Sequence, residues 1–317
     1  MSKPFHLRFS LLLLFSVLMI SVGIIVPLVF RHHDITIQNV SFDIPYEMLE
    51  QTYRADIDLQ SQGKKVSWIE LLSCLSENYQ GDLSRYRQKD IDDLKSELCS
   101  GKSVRELVHD KEQYFCYLKL YETVLGGFVG DVERQQEDYG LKVFSPLPKG
   151  FPYTHYDDFG AERTYGYRRS HLGHDLICQS GTPVTAIESG TVEALGWNQY
   201  GGWRIGIRSF DKKRYYYYAH LQKDRPFQSG LSIGKDVCAG DVIGYTGQTG
   251  YSRTENESNI EIPHLHIGLS INPDDSSEEI WVDLHGITRF LEQHRAEVFY
   301  DLQTKEFHSA APSSDAS

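Results

Sequence analysis

GTPVTAIESGTVEALGWNQYGGWRIGIRSFDKKRYYYYAHL, the stretch from Gly181 to Leu221, decides how the rest of the chain is read. Within it Val184–Ile187, Thr191–Leu195, Arg204–Ile207 and Arg214–Ala219 are short β-branched or aromatic runs separated by glycine or charged turns. Such residues fit a pleated, half-buried surface, and their close spacing predicts an antiparallel all-β domain. Val242–Tyr245 adds another strand of the same kind.

Upstream, Pro146, Pro148, Gly150 and Pro152 break the pattern and mark a boundary. We therefore place a linker at 133–152 and the β domain at 153–300, closed by a helix over Asp283–Arg295. The tail 301–317, rich in Ser, Ala and Asp toward its end, is expected to be disordered. Between 67 and 132 the spacing becomes helical, with Trp68, Leu71, Leu72 and Leu75, then Ile91, Leu94 and Leu98, then Phe115, Leu118 and Tyr121. Gly101 reads as a helix stop, and Ser103 with Glu106 as a capping box opening the next helix. Nothing in this helical domain clusters ligands, so a spacer or a contact surface for another protein is expected.

From Phe9 to Phe30 the chain reads FSLLLLFSVLMISVGIIVPLVF, without a charged side chain and long enough to span a bilayer. The apolar run continues past Ser21 and Gly23, which favours an uncleaved anchor at 9–30 over a secretory signal, the alternative being secretion after cleavage. Lys3 and Arg8 precede the span, so the positive-inside rule keeps residues 1–8 cytoplasmic and puts everything after Phe30 outside, beginning with a juxtamembrane linker at 31–66. A formal charge of −12 argues against nucleic acid as a partner. Twenty tyrosines against three methionines suit a β-rich fold. Five cysteines without a C-x-x-C pair indicate neither a disulfide framework nor a cysteine metal site. They are expected to be small buried apolar residues, or to form one bridge, Cys178 to Cys238.

Three segments hold the informative histidines: His171-Leu-Gly-His-Asp175, Tyr218-Ala-His220 and Pro263-His264-Leu-His266. Catalytic zinc takes about three nitrogen or oxygen ligands from the protein and keeps a fourth position open. In a strand, His264 and His266 project to the same face and could flank one ion. His174 alternates away from Asp175 along a strand, and His155, His285 and His294 match no motif; all four are expected to be structural.

The order H-x-G-x-D, Y-x-H-L and P-H-L-H resembles the lysostaphin-type peptidases, also called the LytM family of zinc endopeptidases. Phe159-Gly160, Arg163, Gly181-Thr-Pro-Val184, Ser189-Gly-Thr-Val192, Gly240-Asp-Val-Ile-Gly244 and Thr246-Gly247 fit the same pattern, and the similarity runs from about Phe144 to Asn272. The resemblance implies that His171, Asp175 and His266 ligate one Zn2+ per chain and that His220 and His264 move protons beside it. It implies an endopeptidase acting on stem or cross-bridge peptides of bacterial peptidoglycan. The alternative is a catalytically inactive LytM-like module that binds peptidoglycan or regulates a wall hydrolase in division or sporulation. Two departures stand out: the insertion SRTENESNIEI between Gly250-Tyr251 and Pro263, and Ile267-Gly-Leu269 after the last motif. The insertion is expected to remodel one wall of the substrate groove.

Overall fold

The computed structural model describes residues 39–40, 42–132, 139–164, 168–272 and 279–310. The expected span Phe9–Phe30 lies outside these residues, as do 1–8. Among the described residues no helix is long and apolar enough to cross a membrane.

The predicted strands form the centre of the fold. Gly190–Asn198, Gly202–Ser209 and Arg214–Ala219 make an antiparallel meander, and His264–Ile271 pairs beside Arg214–Ala219. The long strand His264–Ile271 exceeds its neighbours, so its other edge is shared. His174–Cys178 pairs with its first half and Ile280–Val282 with its second. Tyr153–Tyr156 extends the sheet beyond His174–Cys178, Asp236–Val237 closes the opposite edge, and Asn39–Val40 joins Ile280–Val282 in parallel. The expected strands at Val184 and Val242 pair with each other in a separate two-stranded sheet, Pro183–Thr185 with Val242–Tyr245. Alternate residues Val192, Ile205, Ile207, Tyr216, Tyr218, Leu265, Ile267 and Leu269 are buried, as a period of two requires.

The helical reading holds at Trp68–Asn78, Gln88–Cys99, Val104–Leu107 and Lys111–Leu125. Gly101 sits at φ +107° just past Gln88–Cys99, a left-handed stop that a Cβ would oppose. The Ser103 amide donates to Glu106 Oε2 at 2.8 Å, the reach-back half of the capping box.

Five expectations need correcting. The segment 31–66 is no plain linker: Tyr46–Ser61 is a helix burying Met48, Leu49, Ala55 and Leu59. Those side chains pack toward the closing helix, His285–Leu291, where Tyr53 meets Phe290 edge-on and Trp68 stacks on both Phe128 and Phe290. The helices therefore share one continuous apolar core with the sheet and form no separate domain. Neither is 133–152 only a linker, because Tyr139–Leu141 pairs with Val129–Asp131. Residues 301–310 are also part of the fold, since Val298–Asp301 and Glu306–Ser309 form a hairpin, and the rest of the expected tail lies outside the described residues. The hairpin is held by Glu306, which accepts from the Ser229 amide at 3.2 Å and hydroxyl at 2.8 Å. Finally, no disulfide forms among the described residues, which include all five cysteines: Cys74 and Cys178 are buried as expected, whereas Cys99 and Cys116 are exposed.

A buried ion pair fastens the helices to the sheet. Arg214, fully buried, donates to Glu188 Oε2 from Nε at 2.8 Å and to Oε1 from Nη2 at 2.9 Å, while Nη1 donates to the Thr123 carbonyl at 2.9 Å. A Cβ on Gly127 would lie 2.2 Å from Glu188 Oε1, so only glycine lets the helical segment end this close.

Candidate metal centre

Register builds the site. His266 stands directly across from Asp175, and Ala219 lies across from His266 on its other side. Cross-strand partners share a face, so Asp175, His266 and, two residues back, His264 all point one way, while His174 points the other. Small Ala219 leaves room for the His266 imidazole. His220 follows at φ +59°, a left-handed conformation uncommon for a side chain of this size. That turn swings its ring back to the ligand face, 4.9 Å centroid to centroid from His264. His171 arrives from the turn after the hairpin Glu162–Thr164/Arg168–Ser170, held by its amide on the Ala161 carbonyl at 2.8 Å.

The three expected ligands converge. His171 Nε2 is 2.9 Å from His266 Nδ1 and 3.2 Å from Asp175 Oδ1, and His266 Nδ1 is 2.9 Å from Asp175 Oδ1. Bonds of 2.0–2.2 Å at tetrahedral angles would separate donors by about 3.3 Å. Two imidazole nitrogens and a carboxylate so arranged fit a zinc-type ion. Asp158 Oδ1 lies 2.7 Å from His171 Nδ1, where an outer carboxylate can orient the imidazole of a metal ligand. Arg163 pairs with Asp158 and reaches Asp175 Oδ2 at 3.5 Å, tying the outer carboxylate to the inner one.

Charge is set accordingly. Burial would raise the Asp175 carboxyl, yet the close His171 and His266 imidazoles outweigh it and hold the group well below the usual carboxylate range. Burial pushes His220 well below the ordinary imidazole value, and His264 and His266 push the same way. His266 is also lowered by burial, partly offset by Asp175.

His220 and His264 share a feature. His220 Nδ1 donates to the Thr249 carbonyl at 2.9 Å, and His264 Nδ1 to the Ile262 carbonyl at 2.8 Å. A carbonyl can only accept, so each neutral ring keeps its lone pair on Nε2. The His264 Nε2 lies 3.8 Å from Asp175 Oδ1, and both rings line the same cleft of about 1180 Å³.

Arg169 forms part of one wall, its guanidinium 4.7 Å over the Tyr200 ring and 5.0 Å over Tyr251. The insertion forms another part. Asn256 Oδ1 accepts from Trp203 Nε1 and from the Asp224 amide, both at 2.9 Å, and Asn259, Ile260 and Glu261 line the cleft. Gly268, in the second departure, makes space for Trp281, whose ring a Cβ would meet at 2.6 Å.

The sequence reading missed Asp158, which has no motif spacing to His171, and the reason for Gly173. A Cβ there would lie 2.4 Å from His266 Cε1 and 2.6 Å from Nε2. The glycine inside H-x-G-x-D is the only residue that lets the last ligand in. It also missed His155, His174 and His285, which come together on the far side of the sheet. His294 remains structural, its Nδ1 donating to the Val143 carbonyl at 2.5 Å and its ring stacked on Phe144.

Residues 169–277 match the family described as Peptidase family M23. The chain is 40% identical to the L-Ala–D-Glu endopeptidase of Bacillus subtilis over 42% of its own length and 39% of that protein. It is 38% identical to lysostaphin of Staphylococcus simulans over 32% of this chain and 18% of that one. In both cases well under two thirds of the relative is spanned. Among solved structures, a protein of Ruminococcus gnavus described as a putative glycyl-glycine endopeptidase lytM is 20% identical at a TM-score of 0.51, covering 83% of this chain and 92% of that one. This likeness speaks for the fold. The site, the matched segment and the relatives agree: this chain carries a peptidase family M23 domain, homologous to lysostaphin and to the L-Ala–D-Glu endopeptidase.

Proposed function

We propose that the chain is a zinc-dependent endopeptidase hydrolysing peptide bonds of bacterial cell-wall peptidoglycan. One observation carries the reading: three donors converge within 3.2 Å while two more histidines, each held through Nδ1 by a carbonyl, line the same cleft. Relatives named for wall-peptide cleavage support the substrate class. His171, Asp175 and His266 would hold zinc, which when bound polarises a carbonyl and lowers the pKa of water.

The chain's own groups do the rest. Asp158 and Arg163 would orient His171 and Asp175 toward the ion. His220 and His264, each anchored through Nδ1, would handle protons at Nε2: one accepts from the attacking water and, as the imidazolium so formed, delivers that proton to the leaving amine, while the other can donate to the developing oxyanion only in its own protonated form. Tyr200, Tyr251, Arg169 and the inserted Asn259–Glu261 shape the groove that would select the bond.

The test is incubation of the purified chain with peptidoglycan, with and without a chelator, followed by mass spectrometry of released fragments. New amino termini that vanish with the chelator support the enzyme. Stoichiometric zinc with no new amino termini would favour the inactive, wall-binding alternative. We further propose that residues 9–30 anchor the chain with the peptidase domain outside; protection of that domain from protease added to intact, wall-stripped cells would refute this.

A further inference from the structure

We propose that His155, His174 and His285 form a second metal site, on the face of the sheet opposite the M23 centre, taking a divalent ion of the zinc class. Among the described residues only two groups of histidine, cysteine or carboxylate ligands have donor atoms within 4.8 Å of one another; one is the M23 centre and the other is this trio.

The three imidazoles come from three separate elements: the edge strand Tyr153–Tyr156, the strand His174–Cys178 and the closing helix His285–Leu291. His155 Nδ1 is 2.8 Å from His174 Nε2, and the His285 ring centroid is 5.1 Å from that of His174 and 5.7 Å from that of His155. Outside the trio, Glu292 Oε1 lies 2.5 Å from His155 Nε2. A carboxylate accepts, so His155 carries its proton on Nε2 and turns the Nδ1 lone pair toward the other two rings. This is the carboxylate–histidine arrangement that orients metal ligands, and Asp158 makes the same contact with His171 in the M23 centre.

A plain hydrogen-bond relay accounts for less. It can place one proton between His155 and His174, but it brings nothing to His285, whose Nδ1 is buried without a hydrogen bond. A metal ion takes up the lone pair of His285 and satisfies both nitrogens that face each other across 2.8 Å. Access exists as well: His285 lines a second cleft together with Asp157 and Asp283, and Asp157 Oδ2, 3.7 Å from His285 Nδ1, could hold a water that fills the fourth position. A set of three imidazoles and an oxygen suits zinc, cobalt or copper over magnesium or calcium.

The location gives the site a role. The closing helix packs on Tyr46–Ser61, so an ion shared by His285, His155 and His174 staples the helices to the sheet edge. His174 also precedes Asp175, a ligand of the M23 centre on the opposite face of the same strand. The staple therefore holds the backbone that presents Asp175.

The experiment is metal counting on the full chain, stripped with chelator, reloaded with Zn2+, desalted and measured by inductively coupled plasma mass spectrometry. Two ions per chain are expected for wild type and one for His285→Gln. One ion is likewise expected for His171→Ala/His266→Ala, and none when all three changes are combined. Wild type holding a single ion, or His285→Gln still holding two, overturns the proposal. Cu2+ added to His171→Ala/His266→Ala gives a readout that needs no change at the new site: electron paramagnetic resonance should show hyperfine splitting from imidazole nitrogen, and its absence also overturns the proposal. In the same variant, Zn2+ should raise the unfolding midpoint by on the order of 5 °C.

Discussion

Substituting Gly173 with alanine tests the site where its geometry is tightest. The backbone there is not in the left-handed region, so alanine meets no strain of its own. Its Cβ, however, would sit 2.4 Å from His266 Cε1, 2.6 Å from Nε2 and 2.8 Å from the Ile267 carbonyl oxygen, against an ordinary contact of 3.4 Å or more. The carbonyl belongs to a paired strand and cannot yield, so the imidazole must retreat by about 1 Å. Metal bonds tolerate displacements of about 0.2 Å. We therefore expect zinc affinity to fall by about 10- to 100-fold, the scale seen when a ligand's support is disturbed, or ~1.4 to 2.7 kcal/mol. Overpacking should cost about 1–3 kcal/mol of stability, leaving the fold intact. Competition with a chromophoric chelator measures the affinity, and circular dichroism checks the fold. Peptidoglycan hydrolysis should fall at limiting zinc and recover in part at excess. A folded Gly173→Ala chain that binds zinc within twofold of wild type would refute the geometry.

His220→Ala and His264→Ala should retain zinc at the M23 centre but lose about 10²-fold or more in hydrolysis, whereas His171→Ala, Asp175→Ala and His266→Ala should lose metal and activity together; zinc loss in His264→Ala with retention in His266→Ala would reverse the roles. Arg214→Ala leaves Glu188 buried without its cation and frees the Thr123 carbonyl, so it should cost about 3–5 kcal/mol in urea unfolding, and a loss below about 1 kcal/mol would count against the tether. Acidification should destabilise the metal-stripped chain: burial, with His155 and His285 nearby, lowers His174 from 6.5 to about 3. A lowered histidine contributes stability that is complete above pH 6.5 and is lost as pH falls toward about 3, because only the unfolded chain takes up the proton. At pH 5 the loss is about 2 kcal/mol, and His174→Gln should flatten that limb of the stability profile.

Much of the fold was legible because its signals are local. Arg214–Ala219 and Val242–Tyr245 declared themselves by composition, the helix after Ser103 by its cap, and the stop at Gly101 by a conformation that suits glycine. The candidate ligand set came from the resemblance that H-x-G-x-D and P-H-L-H carry, and alternation added that His264 and His266 share a face. Alternation also separated His174 from Asp175. Cysteine burial was misjudged at Cys99 and Cys116 because a helix period does not say which of its faces another element will cover.

By itself, then, the sequence determined the central strands and the helices from Trp68 onward, which depend on neighbours one to four residues away, and it offered five candidate residues for the M23 centre through motifs that resemble the family. Only the tertiary structure decided what meets across the chain. It brought Asp158 to His171, folded the insertion into a wall, merged the helices with the sheet through Trp68, Phe290 and Arg214, and gathered His155, His174 and His285 behind the sheet. Contacts of that kind depend on register and on how the elements pack, and a periodicity read along the chain carries information about neither.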